Sequence, residues 1–138
     1  MNLHEYQVKG LFKQFAIPVN IGQIATTAEE AVKIAEDIRG SITLKAQVLA
    51  GERARAGGIQ FADDPQAVFE RASAMLNTSL RGLPVHKLLI EPVVKIDQEL
   101  YLGITYDRSV GQMVLMASTE GGSRVEKLNR SNSKLLIK

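Results

Sequence analysis

Apolar residues recur at mostly three- and four-residue steps through Leu3, Tyr6, Leu11, Phe12 and Phe15, which predicts one stripe of an amphipathic helix that Pro18 ends. Val19 to Ala25 alternates loosely around Gly22 and reads as a short strand. Thr27 with Glu30 has the form of a capping box. The helix it opens should bury Ala28, Ala31, Val32, Ala35 and Ile38 before Gly40 stops it. Ile42 to Val48 reads as a strand and Ile59 to Phe61 as a return strand. Between them runs a small-residue loop with two arginines, Ala50-Gly51-Glu52-Arg53-Ala54-Arg55-Ala56-Gly57-Gly58. Asp64-Pro65 starts a third helix with Val68, Phe69, Ala72, Met75 and Leu76 on one face, and Asn77 to Pro84 reads as a linker.

The pattern then changes. Leu88-Leu89-Ile90-Glu91 is a short apolar strand halted by Pro92. Glu99 to Tyr106 alternates, with Leu100, Leu102, Ile104 and Tyr106 on one side and Glu99, Tyr101 and Thr105 on the other. Turn residues from Asp107 to Gln112 and the apolar run Met113 to Ala117 complete a hairpin. After Gly121-Gly122 the pattern dissolves, and the polar stretch Asn129 to Lys134 precedes Leu135-Leu136-Ile137. Mixed elements whose order changes after the linker predict an α+β chain of two lobes, with a cleft where they meet.

Composition narrows the function classes. At 138 residues, 45% hydrophobic and 23% charged, the chain suits one compact domain or two small lobes and is too apolar for a disordered tail. The net charge is 17 − 15 = +2, the basic residues are scattered, and there are only three Tyr and four Phe, which argues against nucleic acid as partner. The absence of Cys excludes disulfides, thiolate zinc sites and a cysteine nucleophile. No apolar run approaches a membrane span and the N-terminus lacks a secretory pattern, so the expectation is a cytoplasmic protein with no membrane contact.

Candidate chemistry is sparse. Lys45 sits inside an apolar strand, where a cation needs solvent, as on an edge strand, or an anion such as phosphate. The loop after it is neither a Walker A motif nor a dinucleotide fingerprint. It is either a solvated hairpin turn or an anion-facing loop in which Arg53 and Arg55 offer bidentate forks. Glu91 and Glu99 stand at strand ends, where surface ion pairing is the ordinary explanation, with Lys95 or Arg108 available to Glu99. His4 and His86 are too few for a metal cluster, and no Ser-His-Asp spacing stands out.

Four ordered stretches nevertheless resemble one family: Met1-Asn2-Leu3-His4-Glu5-Tyr6-Gln7; Leu44 to Val48 with its Ala50 to Gly58 loop; Ile90-Glu91 with Glu99-Leu100-Tyr101-Leu102-Gly103; and Met116-Ala117-Ser118-Thr119-Glu120-Gly121-Gly122. They are similar to the beta subunit of succinate–CoA ligase, an ATP-grasp protein, along the chain to about Glu126. The resemblance implies an ATP-grasp fold, with Val19 to Ile90 as the first lobe and residues 1–18 with 91–138 as an incomplete second lobe. It implies a ligase that joins a short dicarboxylate to coenzyme A with hydrolysis of ATP or GTP, through a phosphohistidine on a partner alpha subunit. By motif, Lys45 would contact phosphate, Glu52-Arg53-Ala54 would form the phosphate-covering loop, Glu91 and Val94 would face the base, and Glu99 would line the same pocket. Magnesium would belong to the reaction, with its ligands expected beyond Lys138, so these residues alone are expected to bind without turnover. The family loop has glycines at the positions of Glu52 and Ala54 and a histidine at that of Leu49, so an added charge and a stiffer loop are expected here. An alternative is a noncatalytic nucleotide-binding or assembly module built on the same fold.

Overall fold

The computed structural model describes residues 2–119 and 121, so the expectations for Glu120, Gly122 and the tail from Asn129 to Ile137 lie outside the described residues. The chain divides into two units, Met1–Val94 and Lys95–Lys138.

The first unit is built on an antiparallel sheet in the order β1-β6-β2-β3, from Gln23–Ala25 (β1), Ile42–Ala46 (β2), Ile59–Ala62 (β3) and Leu88–Pro92 (β6). Helices Ala28–Ile38 (α2) and Pro65–Leu76 (α3) pack on each other and on this sheet. Both start as their sequences predict. The Thr27 side chain accepts from the Glu30 N–H at 3.2 Å, and that of Asp64 from the Ala67 N–H at 2.8 Å, with Pro65 in the first turn. The Glu30 carboxylate reaches back one residue further than a capping box requires, to the Thr26 N–H and hydroxyl. α2 stops through Arg39 and Gly40, both at positive φ.

Strand alternation decides which side chains meet the helices. Ile42, Leu44 and Ala46 of β2 and Leu88 and Ile90 of β6 join Ala28, Ala31, Ile34 and Ala35 of α2 and Val68, Ala72 and Met75 of α3 in the core. Ile34 is buried where the stripe pointed to Val32 and Ile38, which pack partly buried at the core's rim, and Phe69 of α3 stays exposed. The intervening residues, Thr43, Lys45 and Gln47 with Leu89 and Glu91, therefore belong to the other face of the sheet.

That other face meets the first helix, Glu5–Gln14 (α1), through ion pairs to Lys45 and Glu91. Residues 2–18 belong to the first unit. The predicted helix forms, yet none of its residues is buried, and Phe15 just beyond it is 76% exposed. Asn77 to Pro84, read as a linker, contains a small hairpin, Ser79–Leu80 (β4) with Leu83–Pro84 (β5). Its two-residue turn, Arg81-Gly82, has positive φ at both positions, the primed geometry that matches strand twist.

The second unit contains the predicted hairpin, Tyr101–Asp107 (β7) with Gln112–Ser118 (β8), in register from Tyr101 opposite Ser118 to Asp107 opposite Gln112. Asp107 holds the turn by accepting from the Ser109 N–H and hydroxyl at 2.9 and 2.6 Å. Leu102, Ile104 and Tyr106 share one face as expected and are all exposed. No helix among the described residues is long and apolar enough to cross a membrane.

Candidate functional site

Five charged side chains converge on the sheet face opposite the core helices. Lys45 is supplied by the penultimate position of β2, Glu91 by β6, Arg53 by the β2–β3 loop, and Glu5 and Lys9 by successive turns of α1. The Lys45 ammonium lies 2.8 Å from Glu91 Oε2 and 3.1 Å from Glu5 Oε1. The other oxygen of Glu5 accepts from Arg53 Nη2 at 2.6 Å, and Lys9 pairs with Glu91.

Desolvation explains why these groups are bound to one another. Glu91 is only 1% exposed, and a carboxylate taken so far out of water is tolerable only with cations against it. The expectation of a surface ion pair at Glu91 is therefore corrected. So is that of an edge strand for Lys45, because β2 runs between β6 and β3 and its lysine is satisfied by carboxylates. Gly22 makes the packing around Glu91 possible, since a Cβ there would stand 2.5 Å from Glu91 Cγ and 3.0 Å from the Ile90 carbonyl oxygen.

The protonation states follow from the same contacts. Burial pushes the Glu5 carboxyl up, but hydrogen bonds and attraction from Arg53 and Lys45 outweigh it and hold the group below the usual carboxylate range. Burial pushes Lys45 down, and Glu91 and Glu5 outweigh that, leaving its ammonium above the usual lysine value. Both groups are charged at neutral pH.

The loop from Gln47 to Gly58 closes back on β2. Arg53 Nη1 donates to the Ala46 carbonyl at 2.8 Å, the Gly58 N–H donates to the Arg53 carbonyl at 2.8 Å, and Ala46 donates to the Gly58 carbonyl. Gly58 is required there, because a Cβ would meet Leu80 Cδ1 at 2.6 Å and the Arg53 carbonyl oxygen at 3.0 Å. Glu52 accepts from Arg55 at 2.8 Å and pairs with Arg81, so its added charge is matched by two guanidinium groups. It has φ 53°, while Ala54 is not among the positive-φ residues. The glycine-like demand thus falls at position 52 alone.

A cleft of about 550 Å³ opens beside these groups, lined by residues 2–5 and Val8 on one side and Val48, Leu49, Ala50 and Arg53 on the other. The sequence-predicted residues Lys45, Arg53 and Glu91 are brought together, with Glu52 and Ala54 flanking Arg53. Val94 is exposed at the end of the first unit and Glu99 belongs to the second. Glu5 and Lys9 were not singled out from the sequence, although their spacing, facing the same way on a helix, was the available signal. Among the described residues no group of three or more His, Asp or Glu side chains could hold a metal ion, so no magnesium site is assigned here.

Comparison with known proteins gives this arrangement a context. Residues 2–138 match the ATP-grasp domain family. The whole chain is 41% identical to a succinate–CoA ligase (ADP-forming) subunit beta of Herpetosiphon aurantiacus, of which it spans 36%. Over 93% of the chain it is 44% identical to the GDP-forming subunit beta of Thermus thermophilus, covering 34% of it. Among solved structures, a dinucleotide-forming acetyl-coenzyme A synthetase from Candidatus Korarchaeum cryptofilum superposes with TM-score 0.72 at 20% identity, over 84% of this chain and 52% of that one. A phosphoribosylamine–glycine ligase from Thermotoga maritima gives TM-score 0.63 at 17% identity, over 83% of this chain and 28% of that one. These two likenesses concern the fold.

Proposed function

The chain belongs to the ATP-grasp domain family, and from that premise we propose that it forms the nucleotide-binding part of a succinate–CoA ligase beta-like subunit. The complete reaction would join a short dicarboxylate to coenzyme A at the expense of ATP or GTP, through a phosphohistidine on an alpha subunit. The chain spans about 36% of the length of such a relative, and nucleotide capture is the part of the reaction we assign to the present residues.

The observation that carries the reading is that one carboxylate, that of Glu5, bridges Lys45 and Arg53 at 3.1 and 2.6 Å. A phosphate group makes the same charge-assisted bonds through two of its oxygens, one to an ammonium and one to a guanidinium, so this pair is spaced for an anion. In the proposed roles Lys45 and Arg53 attract the phosphates, Glu52 and Ala54 complete the loop over them, and Glu91 and Val94 stand on the base side. Glu91 has a second task, fixing Lys45 from below. Magnesium, when bound with the nucleotide, would neutralise phosphate charge; the described residues contain no group that fits it.

Titration calorimetry with ATP and with GTP tests this reading. Lys45→Ala should weaken nucleotide binding by about 1–3 kcal/mol, about 5–150-fold, the range for losing a charge-assisted hydrogen bond. Identical titrations for variant and parent would remove Lys45 from the site.

A further inference from the structure

The cation pair at the centre of the proposed site is already occupied by an anion of the chain itself. We infer that Glu5 is an internal stand-in for phosphate, a carboxylate that leaves Lys45 and Arg53 when a polyphosphate binds, so that α1 acts as a latch on the site. This rests on Lys45 and Arg53 being the phosphate ligands.

Three observations point to release rather than to permanent structure. First, each cation keeps a second partner once Glu5 leaves: Lys45 still has Glu91 at 2.8 Å, and Arg53 still donates to the Ala46 carbonyl at 2.8 Å. The site is not left with bare buried charge, the usual reason that breaking such a pair is costly.

Second, α1 is attached weakly. None of its residues is fully buried and its half-buried apolar side chains are those of Tyr6 and Val8, so the apolar area opposing its departure is limited to these. Its other ties are polar: the Lys9–Glu91 pair, the Tyr6 N–H donating to Gln47 Oε1 at 3.2 Å, and Lys87 over the Tyr6 ring at 5.6 Å. The hydrogen bond and the ring contact contribute modest energies, Glu91 keeps Lys45 at 2.8 Å when Lys9 leaves, and segments with few buried contacts open most readily.

Third, charge favours the exchange. The cluster holds the cations Lys9, Lys45 and Arg53 against the carboxylates Glu5 and Glu91, and when α1 withdraws with Glu5 and Lys9, two cations, Lys45 and Arg53, remain against the single carboxylate of Glu91. A polyphosphate brings more charge and more acceptor oxygens than a single carboxylate, so it outcompetes Glu5 for the same donors. The cleft that both Glu5 and Arg53 line provides the approach. Since Lys45 and Arg53 keep the Glu5 carboxyl ionised at neutral pH, the ligand rather than a proton is the releasing signal.

The test uses inorganic tripolyphosphate, which carries the phosphate charge without a base. Glu5→Gln should tighten its binding about tenfold, a gain of the order expected for removing a charged competitor. The gain should shrink at high salt. In the unmodified chain, saturating tripolyphosphate should speed backbone hydrogen exchange across residues 5–14, a readout independent of whether the variant folds. Unchanged or weaker binding by Glu5→Gln, with Lys45→Ala still weakening it, would overturn the latch and make Glu5 a positioning residue. Unaltered or slowed exchange in α1 would overturn it as well. Binding indifferent to both Lys45→Ala and Glu5→Gln would overturn the phosphate site itself, and the latch with it.

Discussion

Glu52 stands in a left-handed backbone conformation, φ 53°, that costs a side-chain-bearing residue about 1–2 kcal/mol and costs glycine nothing. Its carboxylate is compensated by Arg55 and Arg81, so the strain and the charge at this position are separate effects. Glu52→Gly removes both and releases two guanidinium groups beside the proposed phosphate loop. It should tighten ATP binding at low ionic strength, with the gain shrinking as salt screens the freed cations. Ala54→Gly, at a residue without positive φ, should leave affinity unchanged at either salt concentration. Calorimetric titrations of the two variants at two salt concentrations check the pair; an equal gain from Ala54→Gly would show that the loop needs flexibility at both positions. The resemblance alone expected a glycine at each, and only backbone geometry separates them.

At the level of elements, periodicity shows which residues share a face and leaves open what covers it. The alternation in β2 separates Ile42, Leu44 and Ala46 from Thr43, Lys45 and Gln47, and the core adopts that division. Strand order is another matter: an apolar strand with one lysine reads as an edge, whereas β2 lies inside the sheet because carboxylates far along the chain satisfy the cation. Those partners stand 40, 48 and 82 residues apart in the Glu5–Lys45, Glu5–Arg53 and Lys9–Glu91 pairs, separations that local spacing cannot reveal. The α1 stripe gives the same lesson, since its period is helical although none of its residues is buried. The stabilising core should therefore reside in β2, β6, α2 and α3. Leu44→Ala, at a fully buried site, should cost about 2–5 kcal/mol in denaturant unfolding. Ile104→Ala, on a face where that residue is 69% exposed, should change stability by no more than about 0.5 kcal/mol. Comparable losses for both would place a second core around the β7–β8 hairpin.

Across the whole molecule, the motifs that carry the family resemblance fall in both units, Lys45, Arg53 and Glu91 in the first and Glu99 in the second. Lys45 and Arg53 were legible as candidates because a strand cation followed by an arginine loop is unusual. Their convergence on one anion position was not, because it is made by α1 from the start of the chain. The central claim is that this position receives the phosphates of a nucleotide. Backbone and side-chain NMR of the isotopically labelled chain during an ATP titration measures it most directly. The account predicts the largest saturable shifts at Lys45, at the Arg53 guanidinium and along Gly51 to Gly58, with Glu5 perturbed in the same titration step. Saturable shifts confined to other parts of the chain, with Lys45 and Arg53 unmoved, would contradict it.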